Sequence, residues 1–148
     1  MSGWAEFIKL HFNNDVPFIK FMGIEVIDTA HGRARIQMPL LPVHANSYGI
    51  AHGGICAALV DTVIGIALRT LKYKIVTIET NTVYYAPAQI GGVLYAAAQM
   101  EQAGRKILHA RAEVRTEDEK LVAGGKAIYF ILGEDDGIYG ARQKQDGG

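Results

Sequence analysis

Trp4, Phe7, Ile8, Leu10 and His11 fall at helical spacing, so the chain is predicted to open with a helix. A second, shorter helix is predicted from Pro17 to Met22, because proline suits a first helical turn and Gly23 a stop. The period then drops to two. Residues 23–29 are rich in strand formers and His31-Gly32 supplies a turn. Beyond it, Ala34, Ile36 and Met38 alternate with Arg33, Arg35 and Gln37, which predicts a hairpin with its arginines in water and its apolar set on a core.

Pro42, Asn46, Ser47 and Gly49 break the pattern over residues 41–51, which read as a loop. From Gly53 or Gly54 to about Leu71, apolar residues occupy nearly every side, so this helix is predicted to be buried on most of its surface. Four strands are predicted after it, over residues 75–86, 93–101, 106–116 and 121–132, with turns at 87–92, 103–104 and 117–120. The third is the clearest, since Leu108, Ala110, Ala112 and Val114 alternate with His109, Arg111, Glu113 and Arg115. A helix that is apolar nearly all round needs a partner that wraps it. The order therefore predicts an α+β fold: one antiparallel sheet of about six strands curled around one long central helix.

Composition limits what such a domain can do. The 148 residues suit one domain, 1–148, whose polar, glycine-rich end, 133–148, is expected to be a flexible tail. Hydrophobic residues at 49% and charged residues at 20% are ordinary for a folded soluble chain. Fifteen basic and fifteen acidic residues cancel, which argues against a duplex nucleic-acid binder. The single cysteine, Cys56, excludes an intrachain disulfide and any Cys-x-x-Cys metal pair, and it fits a reducing, cytoplasmic setting. The N-terminus lacks the unbroken apolar stretch of a signal peptide. The longest apolar run, 55–68, is interrupted by Asp61 and Thr62 and is shorter than the roughly 20 residues that cross a bilayer, so no membrane span is expected.

Three features of residues 46–61 carry chemistry. His52-Gly53-Gly54 stands where a loop enters the helix; glycine admits a close ligand, and the first helical amides have no intrahelical acceptor. Such a terminus can stabilise developing negative charge. Asp61 lies mid-helix among apolar neighbours, where an unpaired carboxylate is costly. Gly53, Ala57, Asp61 and Gly65 repeat every fourth residue, so small residues flank the carboxylate and leave space for a substrate or another backbone. Each feature has a plain structural reading: a tight loop, a paired polar group, close helix–sheet packing. Their coincidence within sixteen residues favours a site.

Asn46, His52-Gly53-Gly54 and Asp61 resemble the Asn-(x)5-His-Gly-Gly-(x)6-Asp pattern of hotdog-fold acyl-CoA thioesterases of the phenylacetate-degradation type. The resemblance continues through Tyr85-Ala86-Pro87-Ala88, Gly91 and the Gly104-Arg105 turn, and covers roughly residues 23–132. It implies a hotdog domain that hydrolyses an acyl- or arylacyl-CoA without a cofactor or metal. Asp61 would act as nucleophile or as general base towards water. The Gly53 N–H would hold the thioester oxygen, Asn46 and His52 would orient substrate or water, and Thr77 would help the carboxylate place water. The resemblance also implies a homodimer or homotetramer whose sites are shared between subunits.

Coenzyme A carries phosphates, so cations are expected at the entrance: Arg105 and Lys106 first, with Arg69, Lys72 and Lys74 as alternatives. Tyr48, Tyr84, Tyr85 and Phe130 are candidates for shaping the acyl pocket, but the alternation of residues 75–86 does not say which face its tyrosines line. Other chemistries fit poorly. No Gly-x-Ser-x-Gly elbow or Gly-x-Gly-x-x-Gly fingerprint occurs, and His44 and His52 lack the spacing of a helical metal pair. Cys56 lies in the apolar helix and reads as core, while His11, His31 and His109 read as surface. A hotdog dehydratase or hydratase needs a paired histidine and acid; here Glu79 or His44 would have to be recruited. A non-catalytic acyl-CoA or lipid binder would have no need of Asp61.

Overall fold

A computed structural model of the chain describes residues 3–135 and Gly137. Helix α1 (Gly3–Asp15) is followed by α2 (Pro17–Met22), which ends at Gly23 in the left-handed conformation, φ 76°. Strands β1 (Glu25–Ala30) and β2 (Arg33–Pro39) form the predicted hairpin. The central helix α3 (Gly53–Arg69) comes next, then β3 (Tyr73–Tyr84), β4 (Val93–Ala103), β5 (Ile107–Arg115) and β6 (Leu121–Glu134). The six strands make one antiparallel sheet in the order β1-β2-β4-β5-β6-β3.

The sheet closes on α3. Leu59, Val60, Val63, Ile64, Ile66 and Leu68 are fully buried beneath Ile36, Met38, Leu94, Leu108, Val114 and Val122. Each such side chain contributes roughly 1.5–3 kcal/mol on leaving water. Thr70 ends the helix: its hydroxyl donates to Ala67 O and accepts from Gly32 N at 2.8 Å, tying the helix end to the β1–β2 turn. The helix is not covered all round, because the stripe through Ala57, Ala58, Asp61, Thr62 and Gly65 stays half-buried.

Several boundaries differ from expectation. The Tyr73–Glu134 and Lys74–Gly133 pairings carry β6 two residues past the predicted 121–132 and start β3 two residues before the predicted 75–86, after α3 has stopped at Arg69; β3 then ends at Tyr84. Asp135 is buried and holds the Arg69 guanidinium at 3.1 Å through Nε, so the ordered chain runs past residue 132. The rest of the expected tail, residues 136 and 138–148, lies outside the described residues. The loop 41–51 contains one turn of 3-10 helix, Pro42–His44. His31 is exposed as expected, whereas His109 is half-buried and His11 is half-buried against Phe7.

Strand β3 is an edge: it pairs with β6 on one side only. It exposes Val76, Ile78, Val83 and Tyr84, Ile78 being 54% exposed. Register shifts between Lys74 and Ile75 and between Thr77 and Glu79 break the period-two pattern, which is why alternation alone left its faces ambiguous.

Candidate active site

The loop before α3 is shaped by Asn46. Its side-chain carbonyl accepts from Tyr48 N at 2.9 Å and from Ile50 N at 3.3 Å, an Asx-type turn that leaves the amide nitrogen without a partner among the described residues. Ala51 N donates to Ala88 O, and Ile50 bridges Gln89, so the Pro87-Ala88 segment clamps the loop. His52 is the N-cap of α3: its Nδ1 accepts from Gly54 N at 2.8 Å. An accepting Nδ1 places the neutral ring's proton on Nε2, which can donate. A Cβ on Gly54 would stand 3.0 Å from that Nδ1, so the second glycine is there to admit the cap. Gly53 gives its carbonyl to the Tyr84 hydroxyl, while its N–H finds no acceptor among the described residues. That free N–H sits at the positive end of the helix.

Asp61 stands two turns further on, on the half-buried stripe. Its Oδ1 accepts from the Thr77 hydroxyl at 3.2 Å and from the Tyr129 hydroxyl at 2.5 Å. Thr77 and Tyr129 are cross-strand partners in β3 and β6, so one rung of the sheet delivers both hydroxyls. Gly65 makes the approach possible, since a Cβ there would be 3.2 Å from the phenol oxygen. The space beside the carboxylate that sequence assigned to a substrate or a backbone is, on the Gly65 side, taken by Tyr129. Burial, then the hydrogen bond to Asp61, pushes the Tyr129 phenol above its ordinary value. It therefore stays protonated above pH about 10, where the unfolded chain would ionise. That contribution to stability is complete below about pH 10 and is lost as pH rises further.

Tyr129 was missed in the sequence, yet a signal existed. It falls on the core-facing side of a strand, and a buried tyrosine hydroxyl needs a partner. Of the candidate pocket aromatics, Tyr84 turns to the helix N-terminus, Tyr85 lies against Gly124, and Tyr48 is 87% exposed. Arg105 and Lys106 are exposed in the β4–β5 turn, and the Lys106 ammonium sits 5.9 Å from the Phe130 ring centre. Successive strand residues face opposite ways, so Phe130 and Lys106 lie on the other face of the sheet from Tyr129. Arg69 is committed to Asp135, and Lys72 stands over Trp4, which removes Arg69 as a free phosphate ligand. Cys56 is buried, and burial pushes its thiol up, the reverse of a nucleophilic cysteine. No group of three or more His, Cys, Asp or Glu that could hold a metal occurs among the described residues.

This arrangement places a held carboxylate and a free helix-terminal N–H on one helix. The family model described as thioesterase superfamily matches residues 48–123, which take in the end of the loop after Asn46, the helix, Asp61 and Thr77. The chain belongs to the thioesterase superfamily. This thioesterase is 33% identical to a candidate esterase of Halobacterium salinarum, over 82% of this chain and 89% of that one. It is 26% identical to human acyl-coenzyme A thioesterase 13, over 70% of this chain and 76% of that one. In fold it superposes on the E. coli PaaI protein of the phenylacetic acid degradation operon with a TM-score of 0.86 at 22% identity, covering 90% and 97% of the two chains. The six-stranded sheet around one helix is the hotdog fold.

Proposed function

We propose that this thioesterase hydrolyses acyl-CoA, taking RCO–S–CoA and water to a free acid and CoA–SH, with Asp61 as the catalytic carboxylate. The observation that carries the reading is Asp61 itself: an acid on an open stripe of the central helix, oriented by two hydroxyls through one oxygen. Its free oxygen serves either to attack the thioester carbon or to take a proton from water. The unpartnered Gly53 N–H is the donor for the thioester oxygen, and His52 Nε2–H and the Asn46 amide nitrogen orient substrate or water. Arg105 and Lys106 are exposed cations offered to the CoA phosphates, at a distance from the thioester, because Lys106 lies on the other face of the sheet from Tyr129. The lone free thiol, Cys56, suits the reducing cytoplasm. The likeness to acyl-coenzyme A thioesterase 13 supports the substrate class.

Gly53 and Asp61 do not serve one carbonyl within a single chain. Eight residues of helix separate them by about 12 Å at 1.5 Å per residue. The N–H that meets Asp61 is then supplied by a second copy, and the unpaired, apolar edge of β3 is where that copy would join. A homodimer, or a homotetramer built from it, is expected by light scattering; a monomer with full activity would defeat the shared site.

Thiol release from a panel of acyl-CoAs, measured beside calorimetric binding, tests the activity. Release of CoA supports hydrolysis; binding without release would make the chain a carrier, and enoyl or hydroxyacyl products would make it a dehydratase or hydratase. Release is expected to continue unchanged after exhaustive chelation and in Cys56→Ala. Loss of turnover in either, with the fold intact, would overturn the assignment.

A further inference from the structure

We propose that Tyr129 is a positioning residue: with Thr77 it ties down Oδ1 of Asp61 and so selects Oδ2 as the oxygen that meets water or the thioester. The inference rests on the hydrolytic reading above and adds to it which oxygen acts and what holds it. Both hydroxyls converge on Oδ1, while Oδ2 has no hydrogen-bond partner among the described residues. The Tyr129 oxygen is also 2.9 Å from the Asp61 backbone carbonyl, but a phenol has one proton, and the charged acceptor is the stronger. Because one oxygen is held from two strands, the carboxylate plane cannot swing about its last torsion. Oδ1 is thereby committed to the β3–β6 rung, and Oδ2 is the oxygen left for water or the thioester.

The two hydroxyls are not equivalent. Thr77 holds Oδ1 at 3.2 Å and Tyr129 at 2.5 Å, so the phenol makes the closer bond of the two. Tyr129 is also buried in the core of its own chain. Gly65 belongs to the same device. Its missing side chain is what lets the phenol reach the helix, so residues 61, 65, 77 and 129 form one unit from three elements.

Tyr129→Phe keeps the ring and removes the donor. Its kcat for acyl-CoA hydrolysis is expected to fall about 10- to 100-fold, the rate equivalent of one hydrogen bond to a charged group. KM should stay near wild type, and the melting temperature should fall by no more than the loss of one hydrogen bond, a few degrees. The readout that a packing role would not produce is a double-mutant cycle: in the Asp61→Asn background, Tyr129→Phe should cost nothing further, because its effect runs through the carboxylate. Gly65→Ala, which crowds the phenol oxygen instead of deleting it, is the second variant and should lower kcat in the same direction. If Asp61→Asn itself keeps wild-type kcat, the hydrolytic reading of Asp61 falls. If Asp61→Asn is inactive but Tyr129→Phe stays within about twofold of wild type, or costs the same in both backgrounds, only the positioning role falls.

Discussion

Asp61→Asn is expected to lower kcat by about 10²–10⁴, the scale of a lost acid–base group. The amide nearly preserves the shape of the acid, so Tyr129 and Thr77 can still donate to its carbonyl oxygen. What disappears is the anion. The side chain can neither attack a thioester carbon nor take a proton from water at neutral pH. Binding of acyl-CoA should survive, because on this reading Oδ2 acts on the thioester carbon or on water and not on the rest of the ligand. A purely structural Asp61 would give another pattern, either near-normal turnover or a joint loss of melting temperature and binding. Steady-state hydrolysis, calorimetric binding and a melting curve on one preparation separate these outcomes.

The second large effect is on stability. Gly125 of β6 sits where α3 and the edge strand press on the sheet: a Cβ there would overlap the Asn81 carbonyl oxygen and come 2.9 Å from Val60 Cγ1. Neither neighbour can give way cheaply, since one is backbone and the other is fully buried. Gly125→Ala is expected to destabilise by about 3 kcal/mol or more through overpacking. For a chain of this size, that lowers the melting temperature on the order of 10 °C. Gly124→Ala is the control. Its Cβ would meet Ala112 O at 3.3 Å, which a small shift relieves, so the loss should be milder. Equal melting temperatures for wild type and Gly125→Ala would contradict the close helix–strand approach.

Much of the fold was legible because hydrophobic periods carry it. Ala34, Ile36 and Met38, and Leu108 through Val114, alternate because each strand has one buried face. The apolar run from Ile55 to Leu68 marks the one helix that a sheet encloses. What stayed hidden depends on residues far apart in sequence. Arg69 read as a candidate phosphate ligand, yet its carboxylate partner lies 66 positions away at Asp135, in what composition alone reads as a flexible tail. The tyrosines of β3 could not be assigned to faces because bulges interrupt the strand. The candidate site divided in the same way. The Asn46–Asp61 motif was readable because it is contiguous. Tyr129 was not, because a buried phenol gains meaning only once its partner 68 residues earlier is known. Gly65 suggested room beside Asp61, and the phenol that fills it could come only from the sheet.

The central claim is that this chain cleaves a thioester with water. Mass spectrometry of the acid released from acyl-CoA in ¹⁸O-labelled water tests it most directly, with the variant Asp61→Asn alongside. Water supplies the new carboxyl oxygen whether Asp61 acts as base or as nucleophile. Over many turnovers the wild-type product should therefore carry ¹⁸O, matched one to one by released CoA thiol, and Asp61→Asn should give almost none. Saturable binding of acyl-CoA by the wild-type protein, with neither labelled acid nor thiol formed across the panel, would contradict the account.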